Sequence, residues 1–362
     1  MKNAMQSRIL GSKGLGPARH TRANPFRRYL LLYFAAVLTM ACSVLAINTA
    51  VDPLWYWRGN IVTGENFAFN ERFAKLNRFL RTVDRYDCVI FGSSRATLLD
   101  QTRITDYRCA NLAFASGVVS EFVATARYIK AQGFSPKLVI VGIDAFNYWR
   151  SMNPNLTDFV KRGQPPPGWI PTYLTASALN FSLRTLSGVS PIARAYDANF
   201  IGMPDKDAPI YRPPSRDEMV AKAWKFDASR KEMFFALREV FPEARYIGYV
   251  PPTSAWHTVQ ELHLTGYTGR YLEAMKSIAD RFDVLYDFSV PSKLTMQPEN
   301  TYDGSHFRAA VNASIVDALQ DRSSNFGINV RSITVAEYAR IYNDAIDEFL
   351  QGLHAIGPDD SR

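Results

Sequence analysis

The chain has 362 residues, 47% of them hydrophobic and 21% charged, with a formal net charge of +8. Seven cations (Lys2, Arg8, Lys13, Arg19, Arg22, Arg27 and Arg28) precede the first acidic residue, Asp52, so everything after residue 28 carries only +1. That distribution excludes a basic nucleic-acid footprint on the body of the chain.

The uncharged run that starts at Tyr29 and ends at Ile47 is nineteen residues long. At about 1.5 Å per residue it reaches roughly 28 Å as a helix, near the thickness of a bilayer core. The cations ahead of it hold residues 1–28 on the cytoplasmic side. The expected organisation is therefore a basic leader over 1–28, an anchor over 29–51 and an exported body on the periplasmic face of the inner membrane. A cleaved signal peptide is the rival reading, but its apolar core would run to about 7–15 residues. Cys42 follows Thr39, Met40 and Ala41, a weak match to a lipoprotein site, and reads as a small membrane residue.

Residues 52–84 form the connection, with apolar spacing that predicts a helix over 70–83. Strands are predicted at 86–91, ending in Gly92, at 109–114 and at 137–142; a helix at 121–132 stops at Gly133. Cys88 and Cys109 lie inside the first two apolar runs and read as buried free thiols. Residues 150–215, with Pro165, Pro166 and Pro167, are too long for an ordinary connection and read as a lid, a partner surface or a helical decoration. Beyond them the pattern predicts mostly helix at 217–241, strand at 244–250, helix at 262–281, strand at 283–288 and helix at 308–319. In the tail, 321–362, Thr334 and Glu337 form a capping box, and Val335, Tyr338, Tyr342, Ile346, Phe349 and Leu353 fall on one helical face expected to pack on the domain. Alternating strands and helices mean an α/β domain with a largely parallel sheet, its site beyond the carboxyl ends of the strands.

Two hydroxyls, Ser93 and Ser94, follow Gly92 at the end of the first strand, and Ser94 is the candidate nucleophile. A serine needs a base, and the base needs an orienting group. His306 follows the last strand in Tyr302-Asp303-Gly304-Ser305-His306-Phe307. An aspartate three residues earlier can fold back onto one ring nitrogen and leave the other for the serine.

Serine after the first strand and Asp-x-x-His after the last resemble the SGNH, or GDSL-type, hydrolase superfamily. Gly92-Ser93-Ser94 resembles its first block, Gly117 its second, Gly142-Ile143-Asp144 its third and Asp303 with His306 its last. The resemblance covers residues 85–320, with 150–215 outside it. It implies a three-layer α/β/α, flavodoxin-like fold, with Ser94 as nucleophile, His306 as base, Asp303 as orienter and the amides of Ser94 and Gly117 as oxyanion donors. Asp144 stands where the family has asparagine, and an ionised carboxylate there would repel an oxyanion. Asn147, one turn later, is the candidate substitute.

The Gly-Ser-Ser block, anchor and exported domain are similar to D-alanyl transfer proteins and alginate O-acetylation proteins. The function implied is a membrane-anchored serine esterase or O-acyltransferase acting on a surface glycan, without metal or organic cofactor. Its implied partners are an acylated glycan or polysaccharide, the bilayer through residues 29–47 and, where the acyl group comes from the membrane, an integral-membrane donor. The alternative is a non-catalytic glycan-binding or scaffold subunit. Tyr148, Trp149, Trp169 and Trp256 could then be sugar platforms or core. An α/β-hydrolase reading fails on spacing, because there the serine follows several strands and the acid and histidine lie on separate loops. A metal hydrolase fails because neither His257 nor His263 has a partner at a familiar ligand spacing.

Overall fold

The computed structural model describes residues 25–67, 69–151, 168–188, 195–198, 200–205, 208–209, 211–322 and 326–355. The leader before residue 25 and the run Pro165, Pro166 and Pro167 lie outside the described residues. In chain order the elements are α1 (Pro25–Val51), β1 (Asn66–Phe67), α2 (Glu71–Arg81), β2 (Cys88–Phe91), β3 (Cys109–Asn111), α3 (Val119–Ala131), β4 (Leu138–Gly142), α4 (Trp169–Tyr173) and α5 (Ala176–Leu186). There follow β5 (Ala195–Tyr196), α6 (Glu232–Val240), β6 (Arg245–Val250), α7 (Ala255–Thr258), α8 (Thr268–Ala279), β7 (Val284–Asp287), α9 (Ala309–Leu319), β8 (Ile328–Asn329) and α10 (Val335–Ala355).

The main sheet runs β3-β2-β4-β6-β7-β8, parallel except for β8. The expected α/β architecture with a largely parallel sheet is the one observed. Alternate side chains of the strands feed two cores, as a pleated sheet covered on both faces requires. Val89, Phe91, Val139 and Val141 pack with α3, α6, α8 and α10, while Cys88, Ile90, Leu138 and Ile140 pack with α9. The chain enters at β2, steps to β3 on one side and then to β4 on the other. The carboxyl end of β2 is thus the switch point where such sheets open a crevice.

Helix α1 is long and apolar enough to cross a membrane, and Asn48 and Val51 are its buried residues. The chain does not leave it as a loose linker. The Asp52 carboxylate accepts from the amides of Tyr56, Trp57, Arg58 and Gly59 at 2.6–2.8 Å, closing a tight turn directly below the helix. A short ladder then pairs β1 with β5 of the 150–215 segment.

Three expectations are corrected. Cys88 and Cys109 form a disulfide: the parallel register sets them opposite each other on one face of the sheet, Cα atoms 4.2 Å apart. The apolar surroundings that suggested thiols say nothing about that register. Residues 217–241 are helical only in α6 and two 3₁₀ turns, because Trp224 stacks on Trp149 (5.5 Å between rings) and Phe226 is buried against Tyr148 (5.5 Å), which holds the chain extended. The helix at 262–281 begins only at Thr268; Gly266 at φ +72° breaks it from the π-helical turn Val259–His263. The tail helix α10 does pack on the domain, burying Tyr338, Tyr342 and Ile346, and the Tyr342 hydroxyl donates to the buried Asp287 at 2.8 Å.

Candidate active site

Two glycines let the Ser94 turn sit low over the sheet. A Cβ on Gly92 would lie 2.4 Å from the Ala96 Cβ, and one on Gly142 would lie 3.1 Å from the same atom. The turn therefore nests between the ends of β2 and β4 and lifts Ser94, half-buried, above β2. The Ser94 amide makes no hydrogen bond within the described residues.

The second loop, 301–307, is fixed from within. Thr301 and Phe307 form an isolated bridge, and the Thr301 hydroxyl donates to the His306 carbonyl at 2.7 Å. Gly304 takes φ +79°, where the Tyr211 ring leaves no room for a Cβ. One oxygen of Asp303 accepts from the amides of Ser305 (2.8 Å) and His306 (2.7 Å), so the other oxygen is aimed at the histidine ring.

These loops bring Ser94, His306 and Asp303 together. His306 Nε2 lies 2.7 Å from Ser94 Oγ and Nδ1 lies 2.6 Å from Asp303 Oδ2. With the proton on Nδ1, the ring donates to Asp303 and accepts from the serine hydroxyl. The Tyr302 ring lies parallel to the imidazole, 5.6 Å between centroids, and limits its rotation. Partial burial works to raise the Asp303 carboxyl, but the hydrogen bond and charge of His306 and the two amides overcome it and hold the group at about 2. The carboxylate therefore stays ionised wherever the histidine could act as a base.

The other edge of the site departs from expectation. The Gly117 amide donates to the Phe114 carbonyl at 3.1 Å, in a turn where Ser116 takes φ +54°, so it is committed to that turn. The Asn147 side chain is also committed. Its oxygen accepts from the Val119 amide (2.8 Å) and its nitrogen donates to the Asp144 carbonyl (3.2 Å), which ties the start of α3 to the loop after β4. Asn147 thus acts as a strut between α3 and the loop after β4. Asp144 is fully buried and ion-paired with Arg95 at 2.7 Å, and the same guanidinium donates to Ser305 Oγ through Nε (3.0 Å) and Nη2 (2.6 Å). The repulsion foreseen from Asp144 is offset by that cation.

Arg95 is the residue that sequence reasoning passed over. Its position directly after Ser94, with an acid in the third block where asparagine was expected, is the signal that could have found it. Of the four aromatic residues considered as platforms, Tyr148, Trp149 and Trp256 are buried in the core, and Trp169 sits half-buried on α4.

Fold and site together define an α/β protein with a hydrogen-bonded serine, histidine and aspartate at the switch point of its sheet. No protein-family model matches the chain, and no curated protein matches it. Three solved structures are similar to it in part. A protein assigned as a platelet activating factor from Streptococcus pneumonia has 9% identity and a TM-score of 0.37, over 69% of this chain and 92% of that one. A protein assigned as an acylhydrolase from Bacteroides fragilis has 11% identity and a TM-score of 0.35, over 68% and 96%. A protein assigned as a GDSL-like lipase from Parabacteroides merdae has 12% identity and a TM-score of 0.34, over 66% and 98%.

Proposed function

We propose that this protein is a serine acyl esterase or O-acyltransferase that works on a cell-surface glycan or exopolysaccharide through an acyl-serine intermediate. The observation that carries the reading is the continuous chain from Ser94 Oγ through His306 to Asp303, at 2.7 and 2.6 Å. Ser94 Oγ attacks the acyl carbonyl as its proton passes to His306 Nε2, and Asp303 stabilises the imidazolium that results. The free Ser94 amide donates to the oxyanion. Collapse breaks the ester C–O bond, and the proton on Nε2 leaves with the departing alcohol. The acyl-serine is then attacked by water in an esterase, or by a sugar hydroxyl in a transferase; Nε2 accepts the proton of the attacking oxygen, the acyl C–Oγ bond breaks, and that proton returns to Ser94 Oγ.

In this reading α1 is a single-pass anchor, the leader is cytoplasmic and the body is periplasmic. The cation asymmetry about residues 29–47 supports that orientation, and a disulfide between Cys88 and Cys109 suits an oxidising compartment. An integral-membrane acyl donor would then be a neighbour in the same bilayer.

A second reading, a scaffold or glycan-binding subunit, is favoured by one observation only: the Gly117 amide is spent within its own turn. The test that separates them is acetate release from an aryl acetate by the full chain in detergent. Wild-type turnover lost in both Ser94→Ala and His306→Ala supports the enzyme. A folded wild type as inert as the variants supports the scaffold.

A further inference from the structure

The 150–215 segment does more than border the site; its helices meet the C-terminal end of α1, where the chain passes into the body. Asn48, fully buried near the end of that helix, donates to the Tyr173 carbonyl of α4 at 2.6 Å and accepts from Ser182 of α5 at 2.7 Å. The Tyr173 hydroxyl also donates to Asp52, the group that closes the turn after α1. Ala178, Ser182 and Thr185, the buried positions of α5, form its covered stripe. On α1, Ala41, Val44, Leu45 and Asn48 recur at helical spacing as the partly or fully covered face. The two helices are therefore locked together by small residues and buried polar contacts, not joined by a flexible tether.

What this collar leaves outside is apolar. Ile170 (54% exposed), Leu174 (45%), Leu183 (53%) and Leu186 (40%) project from α4, the residue that ends it and α5, and Trp57 (53%), Ile61 (65%) and Val62 (57%) project from the turn after α1. Between α1, that turn and α4 lies a groove of about 510 Å³ lined by Cys42, Leu45, Ala46, Trp57, Ile61 and Trp169, with Arg58 at its side. Large apolar side chains that are 40–65% exposed and gathered about one groove mark a surface that takes an apolar partner. The patch is continuous with the exposed apolar surface of α1, carries two tryptophans where a bilayer interface favours them, and has an arginine beside it for a phosphate headgroup.

We infer that α4, α5 and the Trp57–Val62 turn form a collar seated in the leaflet on the body side, with a phospholipid acyl chain in the groove beside Cys42 and Trp169. The inference rests on the reading of α1 as a membrane span. Its consequence is positional. The same segment continues through Asp205, whose carboxylate accepts from the Ala309 amide (3.2 Å), and Tyr211, whose ring covers Gly304. The catalytic loop is thus set at a fixed height above the bilayer, and the glycan it acts on must reach it close to the membrane surface.

The test uses the full chain in nanodiscs of phosphatidylcholine brominated near the carboxyl end of its acyl chains, and reads tryptophan emission against unbrominated discs. Four of the six tryptophans, Trp55, Trp149, Trp224 and Trp256, belong to the body, and all four are buried or half-buried there. The expected result is bromine quenching that falls by at least half in Trp57→Phe/Trp169→Phe. If that variant does not fold, the comparison of the two lipids on the wild type alone decides. A chain that stays in the disc but is not quenched overturns the collar and leaves the anchor standing, whether a second copy or the chain itself covers the groove. A chain that leaves vesicles on an alkaline wash overturns the anchor, and the collar with it.

Discussion

The two edges of the candidate site are built on different principles. On the histidine edge the contacts that aim the ring at its acid are local: Asp303 holds the amides of its own loop and turns its free oxygen to a ring three residues away. On the opposite edge Arg95 reaches 49 residues to Asp144 and 210 residues to Ser305, and two of the groups expected to serve an oxyanion, the Gly117 amide and the Asn147 side chain, bond to the scaffold. A local motif can be assembled by a short loop almost anywhere, whereas the far edge depends on the whole sheet being in place. Disturbing the Arg95 edge should therefore damage folding and chemistry together, and disturbing the histidine edge should damage chemistry alone.

The largest stability effect should come from Arg95→Met. It strands the buried Asp144 carboxylate and should cost about 3–5 kcal/mol in denaturant unfolding, part of which returns when Asp144→Asn is added. A loss no greater than that of an ordinary surface change would remove the ion pair from the account. Next is the link between β2 and β3. Cys88→Ser with Cys109→Ser should lower stability by about 2–4 kcal/mol without changing the pH profile of turnover.

A pH effect of similar size should come from His257. Burial, reinforced by the charges of Lys222 and Arg95, pulls its imidazole down to about 4 against an opposing pull from Asp303. Between pH ~6.5 and about 4 the unfolded chain then binds a proton that the folded chain does not, so stability falls as pH falls through that window and is complete above it. The urea midpoint followed over that range should show the slope, up to about 3 kcal/mol in total, and His257→Gln should flatten it. The smallest effect separates the two roles considered for Asn147. As a strut, Asn147→Ala should cost about 1–3 kcal/mol of stability and leave turnover per folded molecule near wild type. An oxyanion donor would instead lose about 10²–10³ in kcat.

The same contrast explains what could be read from the sequence. Strand, turn and loop signals placed Ser94 at the carboxyl end of the first strand and Asp303 with His306 on the loop ahead of the helix at 308–319 because each signal is short and local, and the strands at 88–91, 138–142, 245–250 and 284–287 fell where apolar runs put them. The register that faces Cys88 with Cys109 is a property of the sheet, and the sequence around either cysteine is silent on it. The stretch 217–241 has the composition of a helix, but Trp224 and Phe226 find better burial against Trp149 and Tyr148 in an extended chain. Tertiary packing there overrode local preference. The Asp144 problem is visible in the sequence as a misplaced acid, but its solution, the cation Arg95 beside the nucleophile, is a contact across 49 residues that only the folded sheet makes.

The measurement that bears most directly on the central claim is mass mapping of the full chain after exposure to a fluorophosphonate. A single phosphonyl adduct on the Ser94 peptide, absent when His306 is replaced by alanine although the protein remains folded, is the result expected of a serine activated by that histidine. An adduct elsewhere, or none at all on a folded wild type, would contradict it.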